Sequence, residues 1–328
     1  MKLKITVFSI FLLIGIFIIF SPFIYITYYP LIKADKKVEI PKNLSTKKIC
    51  NLLKNKGIIP NARILEFIIK FSGKEKAIKY GYYIFPAKVS YYKIYKILIT
   101  GKQRLIKFTI PEGFNLYQIA ELLEKKGLFK REEFLNFCFN KKKIQKFLNN
   151  GISLEGYLFP DTYIIAKATT IENVVKIMND NFKKKVVNKL YFDFIRSKLS
   201  LNQVVILASI IQKETYYKKE MPIIASVFFN RLNRNMRLQS DPTVIYGLWK
   251  EFKGKLTRED LNRFTPYNTY KIYGLPPTPI CNPGFYAIYS VLHPAKTNYL
   301  YFVSTNKGYH VFSENYKEHL LKIKMYQR

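Results

Sequence analysis

The chain has 328 residues, 48% hydrophobic and 16% aromatic, which suits two or three domains with real cores and excludes a disordered polymer. A formal net charge of +33 favours anionic partners such as nucleic acid, anionic lipid or acidic wall polymers. The lysines are spread along the chain and not gathered into one run, amid a general excess of Ile, Asn, Phe and Tyr, so compositional drift accounts for the charge and nucleic acid is not an expected partner.

The first predicted element is a membrane anchor. Lys2 and Lys4 precede an uncharged stretch from Ile5 to Leu31, and Ile5–Phe20 is almost wholly apolar. About 20 apolar residues suffice to cross a bilayer as a helix. No small-x-small cleavage site follows, only Pro22 and a bulky run through Tyr29. Residues 1–31 therefore read as an uncleaved transmembrane helix, with Tyr25, Tyr28 and Tyr29 at the far interface. The basic end belongs in the cytoplasm, so the expectation is a single-pass inner-membrane protein with residues from about 32 onward in the periplasm.

An internal repeat comes next. Residues 38–57 can be laid over residues 108–127 without a gap, matching Ile40, Pro41, Ile49, Leu52, Leu53, Lys56 and Gly57 to Ile110, Pro111, Ile119, Leu122, Leu123, Lys126 and Gly127. A later piece recurs at a longer offset, Tyr83-Ile-Phe-Pro86 against Tyr157-Leu-Phe-Pro160. Each copy predicts a short strand ending at Pro, an amphipathic helix, a left-handed cap at Gly57 or Gly127, and a second helix over 62–71 or 131–139. Two small α/β modules are expected, at 32–103 and 104–185. The pattern is similar to LysM-like modules, which bind N-acetyl sugars; a duplicated scaffold without sugar contacts is equally open.

The texture changes at Asn202. Gln203–Thr215 reads as a nearly all-apolar helix, buried on most sides. Glu214 follows Leu207, Ile210 and Ile211 at helical spacing and so shares their face. A carboxyl on such a stripe is raised in pKa by desolvation, as a general acid working near neutral pH requires. Beyond it lie Asn230-Arg-Leu232, then Met236–Gly247, where Asp241 before Pro242 fits a helix N-cap. Thr265–Tyr270, Gly274–Pro277 and Asn282-Pro-Gly284 are turn-rich and carry amide, hydroxyl and aromatic groups of the kind that line carbohydrate clefts. The runs 299–303 and 309–312 predict a closing β-hairpin.

With these segments in order, the chain resembles the endolytic murein transglycosylases of the MltG or YceG-like type. The resemblance rests on the anchor, Gly156-Tyr-Leu-Phe-Pro-Asp-Thr-Tyr163, Leu207–Thr215, Leu238-Gln-Ser-Asp-Pro-Thr243, Tyr267-Asn-Thr-Tyr270, Gly274-Leu-Pro-Pro277, His293-Pro-Ala-Lys296 and the ending around His310. It implies that Glu214 is catalytic, that Gln239, Asp241, Tyr267 and Asn268 bind substrate, and that the reaction is a lyase cleavage of the MurNAc–GlcNAc bond. Such a cleavage leaves 1,6-anhydro-muramyl ends and terminates nascent strands. Glu214 would protonate the glycosidic oxygen and then take the proton of the muramyl C6 hydroxyl, with no water and no second carboxylate. The family usually has Glu-Lys-Glu-Thr where this chain has Gln212-Lys-Glu-Thr215.

The expected architecture is α+β: an N-terminal transmembrane helix, two LysM-like modules and a mixed α+β catalytic domain at 186–328. Partners are peptidoglycan strands, the membrane through the N-terminal helix, and peptidoglycan synthases as candidates. His293, His310 and His319 form no HExxH pattern, GxSxG and phosphate loops are missing, and Cys50, Cys138 and Cys281 lack CxxC spacing. No cofactor or metal is expected, and the thiols read as buried and free. The alternative function is a non-catalytic, membrane-anchored wall-binding scaffold.

Overall fold

The computed structural model describes residues 21, 25–32, 34–41, 43–101, 105–148, 151–167 and 169–327. Most of the expected anchor, residues 1–31, lies outside them. Among the described residues no helix is long and apolar enough to cross a membrane. The chain divides into two compact units, Met1–Lys107 with Ile164–Thr170, and Phe108–Tyr163 with Ile171–Arg328.

The first unit is built from the first repeat. Strand β1 (Lys36–Ile40) buries Val38 and Ile40 and exposes the residues between them, the period of a strand with one covered face. It pairs antiparallel with β2 (Gly81–Phe85), with Val38 opposite Tyr83. Helix α1 (Thr46–Asn55) starts where the Ser45 side chain accepts the Lys48 N–H. Asn61 starts α2 (Ala62–Phe71) and Ser90 starts α3 (Tyr91–Thr100) in the same way. Each such cap stabilises its helix by about 1 kcal/mol. Ile49, Leu53, Leu65, Ile69, Ile94 and Leu98 then meet the inner face of the sheet in one apolar core.

The second repeat forms the same local structure. It comprises β3 (Leu105–Thr109), α4 (Leu116–Lys125), α5 (Arg131–Cys138), a short α6 (Lys141–Ile144) and β4 (Thr162–Ala166), which pairs with β3. Ile49 and Ile119 are both buried, as are Leu53 and Leu123. Gly57 and Gly127 share φ of 65°. Each donates to the carbonyl three residues back, Lys54 or Glu124, at 2.8 Å. The strand–helix–helix–strand order expected from the matched positions is therefore present in both copies.

One part of the expected alignment is corrected. Tyr83 lies in β2, whereas Tyr157 is outside any strand. The counterpart of Tyr83 is Tyr163. Val38 faces Tyr83, and the Phe108 and Tyr163 rings meet with centroids 5.7 Å apart. Both tyrosines donate their hydroxyl to the carbonyl four residues earlier, Lys79 and Phe159. The offset between copies is 70 at Ile40 and Ile110 but 80 at Tyr83 and Tyr163, so the second copy carries ten further residues before its closing strand. That extension holds Glu155 and Gly156. Gly156 has φ of 89°, and a Cβ there would lie 2.6 Å from Pro279 and 2.7 Å from Val205 Cγ1.

In the rest of the second unit, α7 (Ile171–Phe182) passes through a π-helical turn (Lys183–Val187) toward α8 (Tyr191–Arg196). Helix α9 (Leu201–Glu214) opens with a capping box, in which Ser200 accepts the Gln203 N–H and Gln203 accepts the Ser200 N–H. Every residue from Val204 to Gln212 is buried. The helix is enclosed because α10 (Met221–Asn233), α11 (Asp241–Gly247) and α13 (Phe285–Leu292) pack around it. A short α12 (Arg258–Asn262) follows α11. The expected hairpin is formed by β5 (Tyr301–Ser304) and β6 (His310–Ser313), antiparallel, and α14 (Tyr316–Tyr326) lies on it. All three cysteines are buried free thiols.

Candidate active site

Glu214 is the last residue of α9 and sits where the buried helix reaches the wall of a cavity of about 480 Å³. Gln239, Asp241, Arg231, Tyr270, Tyr301, His310 and Tyr316 also line it. The cavity thus combines one half-buried carboxyl, fixed donors and several aromatic rings, the composition expected of a saccharide cleft.

The two loop segments singled out by sequence lock together beneath Glu214. The Gln239 N–H donates to the Thr269 carbonyl at 3.2 Å, and the Ser240 N–H to Thr269 Oγ1 at 2.9 Å. Thr243 Oγ1 donates to the Ser240 carbonyl at 2.6 Å. Held in this way, the buried Ser240 donates its hydroxyl to Glu214 Oε1 at 2.5 Å. Gln239 adopts φ of 53°, a left-handed conformation uncommon outside glycine, so backbone strain is stored beside the cavity. Asp241 accepts from the Tyr270 hydroxyl at 2.7 Å.

The N-cap expectation shifts by one residue. Ser240 is the capping position of α11 and Asp241 is its first helical residue, ahead of Pro242 in the first turn. Neither caps through its side chain, because Ser240 is turned to Glu214 and Asp241 to Tyr270.

Arg231 supplies the cation. Its Nε donates to the Leu300 carbonyl at 2.6 Å, and its Nη1 to the Arg237 and Leu238 carbonyls and Gln239 Oε1 at 3.1, 2.9 and 3.1 Å. The guanidinium also lies 5.0 Å from the Tyr301 ring centroid. Burial pushes the Glu214 carboxyl from its ordinary 4.5 up to about 7. The Ser240 bond pulls it down, the neighbouring Asp241 charge raises it, and Arg231 lowers it. A carboxyl so placed holds its proton near neutrality and can release it to a leaving oxygen.

Of the residues expected to bind substrate, the structure brings Gln239 and Asp241 to the cavity with Glu214 and places Tyr267 and Asn268 elsewhere. Asn268 is fully buried, with Nδ2 donating to the Leu261 and Arg263 carbonyls and Oδ1 accepting the Tyr270 N–H. Tyr267 sets its ring edge-on to Tyr246 at 4.9 Å and bonds Thr278 through its hydroxyl. Both act on the loop that carries Thr269 and Tyr270. Ser240, Arg231 and Tyr270 were not singled out, although they stand inside segments picked out by residue type. Their roles depend on the loops meeting, which no local pattern records.

Gln212, the departure from the family pattern, faces away from this chemistry. It is fully buried, and its Oε1 accepts the Gly284 N–H at 2.9 Å while its Nε2 has no partner. Its acceptor oxygen is the part that matters locally, and a glutamate would supply one as well.

Glu155 is the other buried carboxyl. Both its oxygens accept the Leu116 N–H at the start of α4, Oε2 accepts the Tyr246 hydroxyl, and Oε1 accepts Asn282 Nδ2. It thereby ties the second repeat to α11 and the Asn282 loop. Burial pushes its carboxyl up to about 8, against the lowering bonds from Leu116, Tyr246 and Gly156. A carboxyl raised on folding holds a proton that the unfolded chain releases, so this group's contribution to stability falls as pH rises from about 4.5 to about 8. Glu214 acts in the same direction only up to about 7, so between the two values the slope belongs to Glu155. Unfolding titrations across that range are expected to show falling stability in the parent protein and a flatter line for Glu155→Gln.

Comparison with known proteins follows the same regions. The model of the YceG-like family matches residues 38–325. A Bacillus subtilis (strain 168) protein named endolytic murein transglycosylase is 32% identical over 305 residues, 88% of this chain and 83% of its own length. A Streptococcus pneumoniae (strain ATCC BAA-255 / R6) protein of the same name is 31% identical over 314 residues, 86% of this chain but 56% of its own length. The crystal structure of a yceG-like protein from Listeria monocytogenes is similar with a TM-score of 0.61 at 34% identity, covering 88% of this chain and 99% of that one.

Proposed function

The chain belongs to the YceG-like family and is a peptidoglycan lytic transglycosylase; on that premise we propose that Glu214 is the acid that cleaves the MurNAc–GlcNAc bond within nascent strands. The observation that carries this is the pairing of Glu214 with the buried Ser240 hydroxyl at the wall of an aromatic-lined cavity. Glu214 gives its proton to the glycosidic oxygen, and an oxocarbenium-like centre forms at C1. The muramyl C6 hydroxyl attacks C1, its proton returns to the Glu214 carboxylate, and a 1,6-anhydro end remains. No water is consumed in this step. Gln239 and Asp241 position the substrate, and Arg231 keeps Gln239 in place.

Digestion of purified sacculi tests this reading. Anhydro-muropeptides are the expected products; hydrolytic reducing ends would indicate another mechanism, and no release would favour the wall-binding scaffold. Because the acid must be protonated, kcat/KM is expected to fall above pH 7, about tenfold per pH unit, as Glu214 ionises.

The location is part of the proposal. The apolar stretch at 5–31 supports a single-pass inner-membrane anchor with residues from about 32 in the periplasm. Protease added to spheroplasts is expected to degrade the domain, and complete protection would remove its access to the wall. The duplicated modules are proposed to guide glycan as LysM-like units, and a peptidoglycan synthase is the proposed partner that supplies nascent strands.

A further inference from the structure

We propose that His310 contacts the substrate, as a neutral imidazole whose Nε2 accepts a hydrogen bond from a hydroxyl of the bound saccharide, and that Glu220 is the positioning residue that fixes its tautomer. The inference rests on the reading of this cavity as a glycan site. His310 opens β6 and borders the same cavity as Glu214. Glu220, buried at the start of α10, holds it at two points, with Oε1 accepting the His310 N–H at 2.8 Å and Oε2 meeting Nδ1 at 2.9 Å. Oε2 also accepts from Thr215 Oγ1 at 3.3 Å. Thr215 follows Glu214 in the chain, so the dyad is anchored on the residue next to the proposed acid.

The chemistry follows from donor counting. A carboxylate only accepts, so the proton between Glu220 and His310 sits on Nδ1, and in the neutral ring Nε2 carries a lone pair. Second-group control of a histidine tautomer works in this way at metal and acid–base sites alike. The Phe302 ring, edge-on at 5.5 Å, holds the imidazole from its apolar side. Other groups that line the cavity are held by their neighbours, Glu214 Oε1 by Ser240, Gln239 Oε1 by Arg231 and Asp241 Oδ1 by Tyr270. A polyol brings many hydroxyl protons, and Nε2 of His310, held at the cavity wall by the Glu220 bonds to the same residue, is an acceptor for one of them.

Two measurements test the assignment on the full chain. Initial rates on soluble, un-cross-linked glycan strands are expected to show KM raised about tenfold to a hundredfold in His310→Ala, with the loss falling on KM more than on kcat. His310→Gln, whose amide oxygen can stand in for Nε2, should recover much of it; a purely structural role would not be rescued in this way. Long-range proton–nitrogen spectra are readable because the chain has 3 histidines. They should show Nε2 of His310 unprotonated in the parent protein and in Glu214→Gln, shifting when glycan strands are added to the latter. Glu220→Gln should weaken the preference for the Nδ1-protonated form. An unchanged KM in folded His310→Ala, or an Nε2 signal that is protonated or unmoved by saturating glycan, overturns the assignment. If the parent protein binds glycan but releases no anhydro product, the lyase reading fails while the titration still judges His310.

Discussion

Replacement of Glu214 by Gln is expected to leave the protein folded and to lower anhydro-product release by about 10²–10⁴-fold, the usual contribution of a general acid. The change is close to isosteric. The Ser240 hydroxyl can still donate to an amide oxygen in the position of Oε1, so the loop joining Ser240 to Thr269 keeps its support. The amide has no proton to give to a leaving oxygen and cannot then act as base, so the loss should fall toward the upper end of that range. Gln212→Glu is the paired control. It retains an acceptor for the Gly284 N–H and removes a buried amide group without a partner, so its activity should change far less. Release from purified glycan strands by the parent and both variants decides the matter. If folded Glu214→Gln retains near-normal release, the acid lies elsewhere, and Asp241 and Glu155 become the groups to test.

Gly156→Ala is expected to cost about 3 kcal/mol of stability, from positive-φ strain together with overpacking. The backbone stands at φ of 89°, and the new methyl group would meet the rigid Pro279 ring at 2.6 Å and Val205 Cγ1 at 2.7 Å. Val205 belongs to the enclosed part of α9, so the crowding falls against the helix that presents Glu214. Gly127→Ala is the comparison. Its φ is 65° but nothing lies within 4 Å of the added Cβ, so it should cost only about 1 kcal/mol. Denaturant unfolding of the three proteins separates strain from crowding; equal losses at the two positions would show that the packing around Gly156 yields.

Much of the fold was legible in the amino-acid order because it rests on local periodicity. The matched Ile, Leu and Gly positions of the two repeats carry strand alternation, helical spacing and left-handed caps, all of which operate over a few residues. The buried course of α9 was legible from its nearly all-apolar run. The alignment of Tyr157 with Tyr83 misled because a four-residue likeness cannot reveal a ten-residue lengthening of the path to the closing strand. Asp241 was taken as a cap because Ser and Asp are both good capping residues, and only the tertiary partners, Glu214 for one and Tyr270 for the other, distinguish their duties. Asn268 and Tyr267 bear the residue types of a sugar site yet spend them on contacts inside the protein, with the Leu261 and Arg263 carbonyls and with Tyr246 and Thr278. Arg231, Ser240 and the Glu220–His310 pair come together from separate elements, and that meeting has no sequence period.

The lengthened second copy also bears on the order in which the chain can assemble. In the first copy β1 finds β2 among residues made shortly afterwards, so it can close soon after it emerges. In the second, the Leu158 N–H awaits the Asn282 side chain, and the Phe114 carbonyl awaits the same residue, separations of 124 and 168 positions. Contacts so distant along the chain are entropically slow to make. Two modules of common pattern thus have unequal timetables. During synthesis the first can be finished while the second is still waiting, its Glu155 clasp open until Asn282 arrives, so the cleft is completed only when nearly all of the chain is present.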